Sequence, residues 1–165
     1  MNNDLNRIYR FKGSPREIGF AAGQTFASTL EGTISRYIAS VQDLKDMHKL
    51  HAGALPWLRT LPKRFQDEFE GIAEGSGIPL QRLAEWAFIE ECDVKQCSAA
   101  VYLFEDRAWV ARNNDCYAPE LWGYVIIREV DGRIPTMIFS GEGDVFSGTG
   151  VNKEKLWLHY NFLVP

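Results

Sequence analysis

The hydrophobic period of this 165-residue chain changes near residue 96. Before that point apolar residues recur at steps of three and four, the period of a helix face. After it they fall into short apolar blocks separated by turn residues, the pattern of strands. A chain that switches period once, and late, places its helices first and its sheet afterwards. That order predicts an α+β architecture: a helical layer over an antiparallel sheet.

Residues 5 to 11 read as a first strand, closed by Lys12-Gly13. Ser14-Pro15-Arg16-Glu17 is a helix start: serine accepts from the backbone three residues on, glutamate reaches back, and proline needs no donor there. Ile18, Ala22, Phe26, Leu30, Ile34, Ile38 and Val41 then form one stripe, which predicts a single long helix. Gly19, Gly23 and Gly32 each weaken it by roughly 1 kcal/mol against alanine, so close packing against another element is expected to compensate. Ala52-Gly53-Ala54-Leu55-Pro56 is expected to break the helical pattern. A second helix is predicted from Pro62, with Phe65, Phe69, Ile72 and Ala73 inward, ending at Gly75-Ser76-Gly77. A third follows Pro79, with Leu80, Leu83, Ala84, Ala87 and Phe88 inward. Strands are predicted at 97–104, 109–112, 124–130, 135–140 and 155–162, with Asp131-Gly132 as a hairpin turn and a tight turn at Asn152-Lys153-Glu154-Lys155. The whole reads as one domain, 1–165.

Charge and composition exclude several classes of function. Net charge is -4 and no basic cluster extends beyond Lys63-Arg64, so no nucleic-acid partner is expected. No apolar run approaches the ~18 residues that span a bilayer, so no membrane partner is expected. Met1-Asn2-Asn3-Asp4 is polar and leads into no signal-peptide core, which makes a cytoplasmic location the expectation. The three cysteines, Cys92, Cys97 and Cys116, are an odd number and imply no complete disulfide framework.

The chemistry concentrates where the period changes. Gln96-Cys97-Ser98 opens the first strand-like block, and Arg112-Asn113-Asn114-Asp115 closes the next, with Asp115 eighteen positions after Cys97. Taken singly these residues have plain structural readings. A cysteine in a strand is often a small buried hydrophobe, and an arginine or aspartate at a strand end is often solvated. Cys92, Cys97, Cys116 and His159 could in principle form a Cys₃His zinc site, but Cys116 and His159 are isolated rather than paired. Cys97 with His159 as a papain-like pair lacks the local context of that class. His48 and His51 read as solvated at a polar helix end. Trp109, Tyr117, Trp122, Tyr124 and Trp157 read as packing residues, although Tyr117 and Trp122, in the loop after Asp115, could line an acyl pocket.

Four segments in order resemble acyl-coenzyme A:6-aminopenicillanic acid acyltransferase and related autoproteolytic N-terminal-nucleophile hydrolases, and more distantly the choloylglycine hydrolases. They are Gly13-Ser14-Pro15-Arg16-Glu17-Ile18-Gly19 with Ala22-Gly23, then Glu68-Phe69-Glu70-Gly71-Ile72-Ala73-Glu74-Gly75-Ser76-Gly77, then Cys97-Ser98 with Arg112-Asn113-Asn114-Asp115, and finally Gly148 through Leu156. The resemblance implies the front part of a four-layer αββα sandwich, with 1–96 as a helical pro-segment and 97–165 as the start of the catalytic sheet. It implies autocleavage between Gln96 and Cys97: the thiol attacks the Gln96 carbonyl, an N-to-S shift gives a thioester, and water releases the mature chain. The new α-amine, which titrates close to neutral pH, would act as general base for its own thiol. Asp115 would orient that amine, and Arg112 would sit against the thiolate or the substrate. Asn114, Tyr117 and Trp122 are the substrate-binding candidates. The implied substrate is a small-molecule amide or acyl thioester, hydrolysed by water or transferred to an amine, with no metal or other cofactor.

The chain also departs from the family's pattern. Gln96 stands where relatives often carry a small or acidic residue, and Lys155 stands where the hairpin signature usually has glycine. The family's mature chain is longer than Cys97 to Pro165, and neither Asn152 nor Asn161 matches its oxyanion asparagine. These departures carry a second expectation: a truncated or inactive scaffold that serves as a binding or assembly module and self-associates through an open sheet edge.

Overall fold

The structure is a computed structural model and describes residues 7–44, 46–91, 96–115 and 118–159. Strand β1 (Ile8–Gly13) leads into helix α1 (Pro15–Phe26) through the capping box expected at Ser14. The Ser14 backbone N–H donates to Glu17 Oε2 at 2.8 Å, and the Ser14 side chain accepts from the Glu17 backbone. The Ser14 hydroxyl also donates to Glu17 Oε2 at 2.7 Å, and this bond, with that from the Ser14 backbone N–H, holds the Glu17 carboxyl below its ordinary range.

The single long helix of the sequence reading is two helices. α1 stops at Phe26 and α2 (Leu30–Val41) restarts after a turn in which the Thr29 N–H donates to the Phe26 carbonyl at 3.0 Å. Leu30 follows Phe26 by four positions, so the buried stripe crosses the break unchanged and periodicity alone does not reveal it. A second correction concerns Pro56, which lies inside helix α3 (Met47–Thr60) rather than breaking it. Ala54 and Leu58 are fully buried on either side of it, and that packing outweighs the missing backbone bond. His48 and His51 are exposed in the first turns of α3, where His51 Nδ1 lies 2.6 Å from Glu85.

Helices α4 (Lys63–Ser76) and α5 (Leu80–Glu91) follow the sequence reading closely. Gly77 caps α4 in the left-handed conformation, φ +75°, and its N–H donates to the Ala73 carbonyl at 2.9 Å. α1 and α4 pack glycine against backbone. A Cβ on Gly19 would overlap the Glu68 carbonyl, and one on Gly23 would meet the Ile72 carbonyl. In return, Gly71 and Gly75 face the carbonyls of Arg16 and Phe20. Gly32 meets nothing, so the compensation expected for all three N-terminal glycines holds for two of them.

The strands do not form one antiparallel meander. Among the described residues one sheet has the order β1-β4-β5-β6-β7, with β4 (Trp122–Val130), β5 (Thr136–Gly141), β6 (Thr149–Asn152) and β7 (Trp157–His159). β1 pairs with β4 in parallel, from Ile8 opposite Val125 to Gly13 opposite Val130, so this sheet is mixed. A parallel pair needs a long crossover, and the helices that separate β1 from β4 provide it. The other strands, β2 (Gln96–Phe104) and β3 (Arg107–Asp115), form a separate antiparallel hairpin. Its two-residue turn, Glu105-Asp106, has φ of +49° and +58°, the conformation that matches strand twist. The Asp131-Gly132 turn joins β4 to β5, and Lys155 closes the β6–β7 turn at φ +64°, a backbone conformation that favours glycine. Of the last strand of the sequence reading, Trp157–His159 is strand, and 160–162 lies outside the described residues.

The helices cover one face of the mixed sheet. Tyr9 and Phe11 of β1 and Tyr124 of β4 meet Phe26 of α1, with Phe26–Tyr9 ring centroids 4.9 Å apart, and Ile126 is buried beside them. The β2–β3 hairpin lies over the other face. Its far end is open: Val101, Tyr102, Leu103, Phe104 and Trp109 are all exposed. No helix among the described residues is long and apolar enough to cross a membrane.

Candidate active site at the strand-opening cysteine

Cross-strand register decides which polar groups meet Cys97. It pairs Cys97 with Asn114 and Ala99 with Arg112, so Cys97, Asn114 and Arg112 share one face of the hairpin. Cys97 is partly buried and not disulfide-bonded. Its Sγ lies 3.1 Å from Asn114 Oδ1, placed for the thiol to donate, and Arg112 Nη2 donates to Sγ at 3.3 Å. The same Nη2 lies 3.1 Å from Asn114 Oδ1. One guanidinium thus orients both the sulfur and the amide that accepts from it.

Asp115 is placed differently. It stands opposite Gln96, beside the Gln96–Cys97 bond in the ladder, but strand alternation turns its side chain to the other face. There Asp115 Oδ1 accepts from Asn113 Nδ2 at 2.7 Å. The described chain is continuous from Gln96 into Cys97 within β2.

Between the hairpin and the mixed sheet lies a cleft of about 360 Å³, lined by Val110, Arg112 and Asn114 on one side and by Trp122, Phe139 and Trp157 among the groups opposite. Trp122 reaches it through an irregularity. The β4–β5 pairing shifts register between Trp122 and Tyr124, with Gly123 at φ +101°, which breaks the alternation that would place both aromatics on one face. Phe139 and Trp157 pack on each other with centroids 5.8 Å apart. Sequence reasoning missed this pair as site residues, because only the β5–β6–β7 register brings them together. Behind the cleft, Thr33 Oγ1 and the Tyr124 hydroxyl donate to the buried Glu142 carboxylate at 3.0 and 2.5 Å. Burial, with that carboxylate alongside, pushes the Tyr124 hydroxyl up to about 12.

The structure therefore brings Arg112, Asn114 and Trp122 to one cleft, with Cys97 bonded to Arg112 and Asn114, and leaves the Asp115 carboxylate on the far side of the hairpin. Tyr117, Cys92 and Cys116 lie outside the described residues. His159 accepts from Trp157 Nε1 at 3.0 Å, and no hydrogen bond joins it to Cys97 among the described residues. No cluster of three or more His, Cys, Asp or Glu side chains placed to hold a metal occurs among them either. In comparisons with known proteins, no family model and no curated sequence matches this chain.

Proposed function

We propose that this chain is an autoprocessing thiol amidohydrolase or acyltransferase of the N-terminal-nucleophile kind, with Cys97 as nucleophile. The observation that carries this reading is the Arg112 guanidinium 3.3 Å from Cys97 Sγ at an aromatic-lined cleft. A guanidinium beside the sulfur is the kind of partner that positions a nucleophilic cysteine. In processing, Sγ bonds to the Gln96 carbonyl carbon, the Gln96–Cys97 C–N bond breaks, and the nitrogen leaves as the α-amine. Water then hydrolyses the thioester and frees Sγ. In turnover, Sγ takes the acyl group of an amide or thioester, the α-amine accepts the thiol proton and passes it to the leaving group, and water or an amine removes the acyl group. In this scheme Arg112 would also meet the tetrahedral oxyanion, a role worth about 10²–10³ in rate for a well-placed donor. Asp115 serves this scheme by holding the new amine, which requires its side chain to leave Asn113 once the Gln96–Cys97 bond is cut.

The test is acyl-enzyme capture. Incubation with p-nitrophenyl acetate followed by peptide mass mapping is expected to place one acetyl group on Cys97, and Cys97→Ala is expected to lose it. Acetylation confined to other residues refutes the nucleophile. The exposed apolar end of the hairpin favours a second reading, a binding or assembly scaffold that self-associates. An unacetylated Cys97 in a chain that elutes as an oligomer would support it.

A further inference from the structure

On the helical side of the mixed sheet lies a cavity of about 430 Å³ that shares no residue with the cleft lined by Arg112 and Asn114. Arginines from three places converge on it: Arg64 in the first turn of α4, Arg128 on β4, and Arg133 just past the β4–β5 turn. Arg64 and Arg133 are exposed at the rim, and Arg64 lies over the Phe65 ring, 4.4 Å from its centroid. Arg128 lines the floor. It pairs with the buried Glu68 through Nη2 and donates through Nη1 to the Val145 carbonyl at 2.9 Å. Its Nε is buried and has no hydrogen-bond partner among the described residues. A buried guanidinium N–H left unpaired is costly, and it is a donor ready for an acceptor.

The start of α4 adds to the imbalance. This helix has no side-chain cap and no acidic residue in its first turn; Arg64 stands there, beside a Lys63 that pairs with Asp67. The positive end of a helix dipole disfavours cations and favours an anion. With Glu68 ionised, the cavity lining still carries two positive charges in excess. That excess matches a phosphate monoester, which bears close to two negative charges at neutral pH. Beside Gly132 and Thr136, the remaining lining, Phe65, Val130, Ile134 and Pro15, is apolar, and the volume exceeds what a phosphate group alone would fill.

We propose that this cavity is a second ligand site, separate from Cys97, that binds a small phosphate monoester. Its phosphate is held by Arg64, Arg128 and Arg133, and its organic part lies against Phe65 and Ile134. The test is calorimetric titration of the full chain, at constant ionic strength, with phenyl phosphate, inorganic phosphate and benzoate. Phenyl phosphate is expected to bind saturably and tighter than either of the other two. Arg64→Gln and Arg133→Gln, both at exposed positions, are each expected to weaken it about tenfold, the loss of one charge-assisted hydrogen bond. Cys97→Ala is expected to leave binding unchanged, which separates this site from the proposed active site. Three results overturn the proposal: no saturable binding, binding indifferent to both arginine substitutions, or benzoate or inorganic phosphate binding as tightly as phenyl phosphate.

Discussion

In the proposed scheme, Arg112 is the residue on which the reactivity of Cys97 turns. Its Nη2 reaches both Sγ and Asn114 Oδ1, so truncating it removes the cation and frees the amide at once. Arg112→Leu is expected to slow alkylation of Cys97 by iodoacetamide about tenfold, because the attacking thiolate loses a charge-assisted partner. Asp115→Asn is expected to leave that rate within about twofold, since its carboxylate faces away from the sulfur. Peptide mass mapping over time gives both rates, and equal slowing by the two substitutions contradicts the geometry. The sequence names Cys97, Arg112 and Asp115 together, but it does not say which share a face. That depends on the Glu105-Asp106 turn, whose two left-handed residues carry no glycine to announce it. Asn114, only a weak candidate by sequence, is the direct cross-strand partner of Cys97.

Among the elements, the α1–α4 contact is the least tolerant of change. Gly19 and Gly23 face Gly71 and Gly75 across it, with backbone atoms where side chains would otherwise be. Neither helix can yield to a methyl group without moving the other. Gly19→Ala is expected to cost about 1–3 kcal/mol through overpacking, although alanine is the better helix former. Gly32→Ala, at an open and exposed position, is expected to be neutral or to stabilise by up to about 1 kcal/mol. Urea midpoints of the two variants check this, and a neutral Gly19→Ala refutes the close packing. Caps and turns were legible because single residues carry them: Ser14 with Glu17, Gly77, and Asp131-Gly132. The break after Phe26 and the continuity through Pro56 were not, because burial decides both. The parallel β1–β4 pairing joins strands more than a hundred residues apart, where local pattern has no reach.

At the scale of the whole molecule, one buried pair ties the helices to the sheet. Glu68 of α4 meets Arg128 of β4, and burial outweighs the attraction of that arginine, pushing the Glu68 carboxyl from its ordinary 4.5 up to about 7. A carboxyl raised in the folded state holds its proton more tightly folded than unfolded. The contribution of this carboxyl to stability is therefore full below pH 4.5 and falls as pH rises towards 7. Glu17 and Glu70 are shifted the other way, and their contribution is lost only below their ordinary range. Urea unfolding at a series of pH values is expected to show the decline, and Glu68→Gln is expected to flatten it. A wild-type slope that survives the substitution places the titration elsewhere.

The account as a whole rests on Cys97 acting on the bond that precedes it. Intact mass of freshly purified protein under denaturing conditions, beside Cys97→Ala, tests this most directly. The account predicts two wild-type fragments, 1–96 and 97–165, and one uncut mutant chain. A wild-type chain that stays whole, or a mutant cut at the same bond, contradicts it.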